Sequence, residues 1–146
     1  MVTPLLGDLL ARMKPSRRLV ARFMAAMGEK DTIGRHPELI ESLVAAGRDP
    51  IASKAALAEY REILTPLGFR PSMRVQPTEL RALTAPTLVV WGDHDPTGTV
   101  DAAQRAVSLI PNARLEVLPG GHVPWLGNAE LVASLLSTFV RADGNV

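Results

Sequence analysis

Apolar positions in the first half of the chain recur at helical spacing. Leu5, Leu6, Leu9, Leu10 and Met13 form one stripe, broken at Pro15. Val20, Phe23, Met24 and Met27 form a second, closed by Gly28. A third helix begins at Pro37, with Glu38 in its first turn, a stripe of Ile40, Leu43 and Val44, and Gly47 near its end. Asp49-Pro50 reads as a cap followed by proline at the first helical position. The helix it opens carries Leu57, Tyr60 and Leu64 and stops at Pro66. Gly68 to Gln76 has no clear period, and Thr78 to Leu83 reads as a short capped helix.

Near residue 84 the pattern changes. Thr87 to Trp91 is a continuous apolar run between Pro86 and Gly92, as expected of an internal parallel strand apolar on both faces. Val100, Ala103, Val107 and Ile110 mark a helix ending at Pro111-Asn112. In Ala113 to Leu118 charge alternates with apolar residues, the pattern of a half-buried strand nearer a sheet edge. Asn128 can cap a last helix with a stripe of Leu131, Val132, Leu135, Leu136, Phe139 and Val140. Strand–helix–strand–helix order predicts a parallel crossover and an α/β fold. The expected organisation is a helical region over residues 1–77 and an α/β segment over 78–146. There is no internal repeat and no low-complexity segment.

Composition narrows the class. In 146 residues, 47% are apolar and 21% charged, which suits a globular domain. The net charge of +1 offers no field for nucleic acid or an anionic membrane. Lys14, Arg17, Arg18 and Arg22 read as a solvated helix face. The absence of cysteine excludes disulfides and thiolate metal sites. No signal peptide and no membrane span are read, so the expectation is a soluble, cytoplasmic protein with no cofactor.

The chemistry gathers at the predicted strand ends, where open α/β sheets place their sites. Asp95 follows one strand and His122 the next. One crossover helix and one return strand fit between them, so both side chains can reach the same rim. A carboxylate there can fix the tautomer of the imidazole and stabilise the imidazolium formed during proton transfer. Gly120 and Gly121 let the loop turn tightly. Asp93 and Asp95 also suit turns, and His94 suits an exposed loop. His36 reads as the start of a helix, and Met13, Met24 and Met27 as packing residues. Trp125 suits either a substrate pocket or packing against the last helix.

Pro86-Thr-Leu-Val-Val-Trp-Gly-Asp-His-Asp-Pro96, followed by Gly120-Gly-His-Val-Pro-Trp-Leu126, resembles the C-terminal half of an α/β-hydrolase fold enzyme. The resemblance is weak over residues 1–77 and strong over 84–142. It implies a partial α/β-hydrolase fold, with a helical lid followed by a β-α-β-α segment of the parallel sheet. In that family the acid commonly stands three residues after the strand-ending glycine, so Gly92 selects Asp95 over Asp93. The histidine follows the last strand, which selects His122. The order acid then histidine matches the family order. Pro-Trp after the histidine is common in lid-bearing esterases, epoxide hydrolases and carbon–carbon bond hydrolases, which gives Trp125 an implied substrate-binding role.

One part of the family pattern has no counterpart. None of Ser16, Ser42, Ser53, Ser72, Ser108, Ser134 and Ser137 stands in a G-x-S-x-G frame. The nucleophile elbow and the oxyanion amides would lie upstream of the lid. The chain alone is therefore expected to be inactive as a triad hydrolase. Two parallel strands are also too few for a stable sheet, so the expected partner is a second copy or a chain carrying the N-terminal half. Three functions remain open: a serine-type hydrolase acting on an apolar small molecule, a non-catalytic remnant that self-associates, and a metal site at Asp93, His94 and Asp95.

Overall fold

The computed structural model describes residues 15–65 and 68–142. The stripe expected over Leu5–Met13 lies outside these residues, and the side chains of Leu57 and Leu64 are not described either. The chain divides into two compact units. Among the described residues, one holds 15–23 and His36–Val75, and the other holds Met24–Arg35 and 76–142. The short segment Met24–Arg35 thus belongs with the strands, not with the helices on either side of it in sequence.

The first unit is helical. Helix α1 (Arg17–Ala26) begins here, followed in this unit by α3 (Glu38–Arg48) and α4 (Pro50–Ile63). Pro37 stands just ahead of α3, and Val44 on its stripe is buried. Asp49 caps α4 as its sequence suggests, its Oδ1 accepting the Ile51 amide at 2.8 Å. Helix α4 stops at Ile63, three residues before Pro66. The chain then forms a minimal antiparallel hairpin, β1 (Leu64–Thr65) with β2 (Gly68–Phe69), and a one-turn helix over Pro71–Met73. Sequence periodicity misses both because two-residue strands have no period to read.

The second unit starts with the last turn of α1 and α2 (Lys30–Arg35), a six-residue helix that sequence reading leaves out. Helix α1 ends at Ala26, and Gly28, two residues on, has φ +81. The Gly28 amide donates to the Ala25 carbonyl and the Glu29 amide to the Met24 carbonyl, at 3.1 and 2.9 Å. This is the Schellman arrangement that glycine permits at a helix end. Then come α5 (Pro77–Ala82), β3 (Thr87–Gly92), α6 (Val100–Val107), β4 (Ala113–Leu118), a one-turn helix over Pro124–Leu126, and α7 (Ala129–Ala142). Glu79 secures the start of α5 by accepting the Gln76 amide at 2.6 Å. Thr99 caps α6 by accepting the Ala102 amide.

Strands β3 and β4 pair in parallel with Thr87 opposite Ala113 and Gly92 opposite Leu118. Their carboxyl ends therefore lie level on one rim. Ala103, Val107, Ile110 and Leu118 pack as the core of this unit. The apolar run of β3 is only half-buried, although its sequence suits an interior strand. Among the described residues it has one paired neighbour, β4, and its other edge is open. Helix α7 carries an apolar stripe yet buries none of its residues, and Leu131, Leu136 and Val140 are exposed.

Three glycines allow the main chain of this unit to close. A Cβ on Gly28 would stand 2.8 Å from both the Gly121 Cα and the His94 carbonyl oxygen. One on Gly121 would collide with the Met27 carbonyl and stand 2.7 Å from the Gly28 main chain. One on Gly92 would collide with the carbonyls of Gly120 and Gly121. Gly121→Ala is expected to destabilise the chain by about 3 kcal/mol, because backbone rather than a flexible side chain must yield. Gly34→Ala, a helical position with open space around the new Cβ, is expected to stabilise by roughly 0.5–1 kcal/mol. Urea unfolding midpoints of the two variants check both signs, and equal effects would refute the steric account.

Candidate active site

The main-chain ladder continues past the strands. The Asp93 amide donates to the Leu118 carbonyl and the His94 amide to the Gly120 carbonyl, both at 2.9 Å. These bonds hold the loop after β3 beside the loop after β4. Asp93 and Asp95 then face different tasks. The Asp93 Oδ1 accepts the Gly120 amide at 2.9 Å and meets His94 Nδ1 at 2.6 Å. The Gly120 amide is the main reason its carboxyl titrates below the ordinary range, opposed by burial and aided by His94. Asp93 thus braces the glycine turn, at φ +144 on Gly120, rather than serving only as a turn residue.

Asp95 meets the histidine. Its Oδ2 lies 3.0 Å from His122 Nδ1. Its Oδ1 accepts two bonds from Thr97, the amide at 2.8 Å and the hydroxyl at 2.7 Å. This is an Asx turn, so Asp95 shapes its own loop and bonds the imidazole at once. The Asp95 side chain is 3% exposed, whereas the His122 side chain is 49% exposed. Burial pushes the Asp95 carboxyl up, but the Thr97 hydroxyl, the Thr97 amide and His122 outweigh it and hold it below its ordinary value.

Thr97 also settles the tautomer. Its hydroxyl oxygen lies 3.3 Å from His122 Nδ1, and its single proton is directed to Asp95 Oδ1. Nδ1 therefore faces two acceptors and must carry the proton. In the neutral ring Nε2 is left with a lone pair. A half-exposed imidazole backed by a buried carboxylate can take a proton at Nε2 from a nucleophile, and the carboxylate stabilises the cation that results.

The histidine loop is held from several sides. Asn128 precedes α7 and takes the Val132 amide with its carbonyl. Its side-chain NH₂ donates to the Pro119 and Pro124 carbonyls at 2.7 and 2.8 Å. Pro124 is fully buried, and Trp125 beside it is 48% exposed. The His122 amide donates to the Met27 carbonyl at 2.9 Å. The Val123 amide donates to Glu29 Oε1 at 2.9 Å. Sequence reasoning missed Thr97, Met27 and Glu29. Asp95-Pro-Thr97 carries an Asx-turn signal that could have found the first. Among the described residues no group of three or more histidine and carboxylate side chains could hold a metal ion, and Asp93 and Asp95 point to separate partners.

The fold has counterparts among solved structures. The enol-lactonase of Burkholderia xenovorans matches with TM-score 0.69 and 16% identity, over 94% of this chain and 49% of that one. A thermophilic esterase of Thermogutta terrifontis matches with TM-score 0.66 and 24% identity, over 93% and 47% of the two chains. The 2-hydroxy-6-oxo-6-phenylhexa-2,4-dienoate hydrolase of a Rhodococcus strain matches with TM-score 0.68 and 18% identity, over 93% and 47%. The chain has the fold of the C-terminal half of an α/β-hydrolase. Among curated sequences, the non-heme haloperoxidase of Rhodococcus erythropolis is 39% identical over 66 residues, 44% of this chain and 24% of the haloperoxidase. The pimeloyl-[acyl-carrier protein] methyl ester esterase of Stenotrophomonas maltophilia is 38% identical over 73 residues, 47% and 28% of the two chains. The chain thus spans about a quarter of these curated relatives and half of the solved ones. No family model matches it. Among the described residues no helix is long and apolar enough to cross a membrane.

The lowered Asp95 value fixes a pH dependence. A carboxylate whose pKa is depressed by folding contributes stability above its unfolded value, about 3.9, and loses it as pH falls through the folded value. The stability advantage of wild type over Asp95→Asn is expected to shrink as pH falls below about 4. Urea unfolding of both proteins across that range is the measurement, and a gap that does not narrow in acid would contradict the assignment.

Proposed function

We propose that this chain supplies the acid, the histidine and the lid of a serine-type α/β-hydrolase acting on an ester, epoxide or carbon–carbon bond in an apolar small molecule. The hydrogen bond of His122 Nδ1 to Asp95 Oδ2, at the level ends of two parallel strands, carries this reading. His122 acts as general base through Nε2, and Asp95 orients it and stabilises its cation. Trp125, half-exposed one turn after His122, lines the substrate pocket. The helical region over residues 1–77 corresponds to the lid of such an enzyme. The nucleophile and the oxyanion amides come from a segment outside these 146 residues. Supporting this, the solved hydrolases of the same fold are about twice the length of the matched region.

The same reading covers the open sheet. The half-buried β3 and the unburied stripe of α7 suit neighbours on both sides, supplied by an N-terminal half or by a second copy of the chain. Intracellular residence fits a chain without cysteine. Self-association without catalysis is the weaker alternative, since it gives the buried Asp95 and its bond to His122 no task.

Two measurements test the proposal. The purified chain is expected to hydrolyse short-chain aryl esters no faster than its His122→Ala variant. The chain fused to the segment encoded immediately upstream, where a strand–G-x-S-x-G–helix is expected, should hydrolyse them and lose about 10³-fold or more in rate with His122→Ala. Equal rates for the fused protein and its His122→Ala variant would sink the assignment. Sedimentation of the chain alone is expected to show species larger than the 15.7 kDa monomer. A clean, cooperatively unfolding monomer in dilute solution would count against exposed pairing edges.

A further inference from the structure

The second unit buries one carboxyl group that the proposed proton transfer does not use. Glu29 is completely inaccessible, at 0% exposure, and both of its oxygens are engaged by uncharged donors. Oε2 accepts the Thr32 hydroxyl at 2.7 Å. Oε1 accepts the Val123 amide at 2.9 Å, across 94 residues of sequence. Glu29 itself is fixed at the Schellman end of α1, its amide on the Met24 carbonyl, while its carbonyl takes the Ile33 amide of α2 at 3.0 Å. A side chain held at its main chain and at one oxygen presents the other oxygen in one place.

That place is beside the histidine. The Met27 carbonyl, freed at the helix end, takes the His122 amide, and Glu29 takes the next amide along. Gly28 and Gly121 touch without room for a Cβ, so the two main chains cannot slide apart by a rotamer change. The direction of the His122 Cα–Cβ bond is thereby set by the end of α1. We propose that Glu29 is a positioning residue for His122, holding the loop so that Nδ1 meets Asp95 and Nε2 faces the reacting proton. The inference rests on the acid–histidine reading above. A simple packing role would be filled more cheaply by an apolar side chain, whereas burying a carboxyl is favourable only if its bonds are made.

The test is ¹⁵N nuclear magnetic resonance of the 146-residue chain, read at the His122 ring and at the Val123 amide. In wild type the neutral ring is expected as the Nδ1–H tautomer, with a slowly exchanging proton that Asp95→Asn releases. Glu29→Ala is expected to speed exchange of both the Nδ1 proton and the Val123 amide by about tenfold or more and to mix the tautomers. Glu29→Gln should restore both, because its amide oxygen can accept from Val123 and its NH₂ can donate to Thr32. Thr32→Val, which frees Oε2 only, should give a smaller shift in the same direction, and it decides the matter if Glu29→Ala does not fold. A folded Glu29→Ala or Thr32→Val whose His122 tautomer and proton exchange match wild type would overturn the positioning role. A wild-type ring indifferent to Asp95→Asn would instead overturn the acid–histidine reading, and loss of Val123 protection in Glu29→Ala would then show the clamp as a structural one only.

Discussion

Everything at the rim depends on three stretches of main chain passing each other without side chains between them. The end of α1 at Gly28, the end of β3 at Gly92 and the histidine loop at Gly121 approach until a Cβ on any one would strike backbone of another. Glycine is required at these points for space, and at Gly28 also for its left-handed φ. Close approach has a chemical result. It brings the unsatisfied carbonyl of Met27, which the helix cannot use, within hydrogen-bond reach of the His122 amide. The same approach lets the β3–β4 ladder run on through Asp93 and His94 to Gly120. The loops that carry the acid and the histidine are therefore extensions of regular structure rather than free connections.

The carboxyl groups around this crossing divide the work according to their surroundings. Asp93 takes the Gly120 amide and keeps the turn in register. Asp95, more deeply buried, is satisfied on one oxygen by Thr97 and turns the other to His122. Glu29, fully buried, reaches the loop from behind. Asp95 and Glu29 are bonded at both oxygens, which is the condition under which buried carboxyls persist. The imidazole is met at its ring by Asp95, its own amide is held by the Met27 carbonyl, and the next amide along is held by Glu29. Its position is over-determined, as a group must be to present one nitrogen in one direction.

Much of this was legible in the residues, and the illegible part has physical causes. Strand β3 could be read because a short apolar run between Pro86 and Gly92 has few other solutions. Asp95 and His122 could be placed on one rim because parallel strands leave a single side for both loops. Glu29 could not be read. A charged residue just after a helix-ending glycine looks like a solvated loop position, and its partner lies 94 residues away. Helix α2 was missed because six residues, among them Gly34, are too few for a period. Asn128 was read as a cap from local sequence, while the proline carbonyls that hold its side chain are set by the tertiary loop. Sequence patterns report local geometry and burial tendency; they do not report which distant backbone donor a polar side chain will satisfy.

The burial of β3 differs from its pattern for another reason. Alternation and hydrophobicity record the environment a strand was selected for, and β3 carries apolar residues on both faces. Here it has one paired neighbour among the described residues and stays half-buried. Helix α7 repeats the mismatch, with an apolar stripe and no buried residue. Two elements on the same unit, one a strand and one a helix, thus carry more apolar surface than the unit itself covers. Yet the contacts at the rim are already closed: the ladder extension, the Asp95–His122 bond and the amide clamps all lie within this one unit. The rim is fixed by backbone crossings at glycines, which need no further strands. The sheet face depends on area, and part of that area stays uncovered. One unit can therefore hold a carboxylate and an imidazole in contact at its rim while part of its apolar surface stays uncovered.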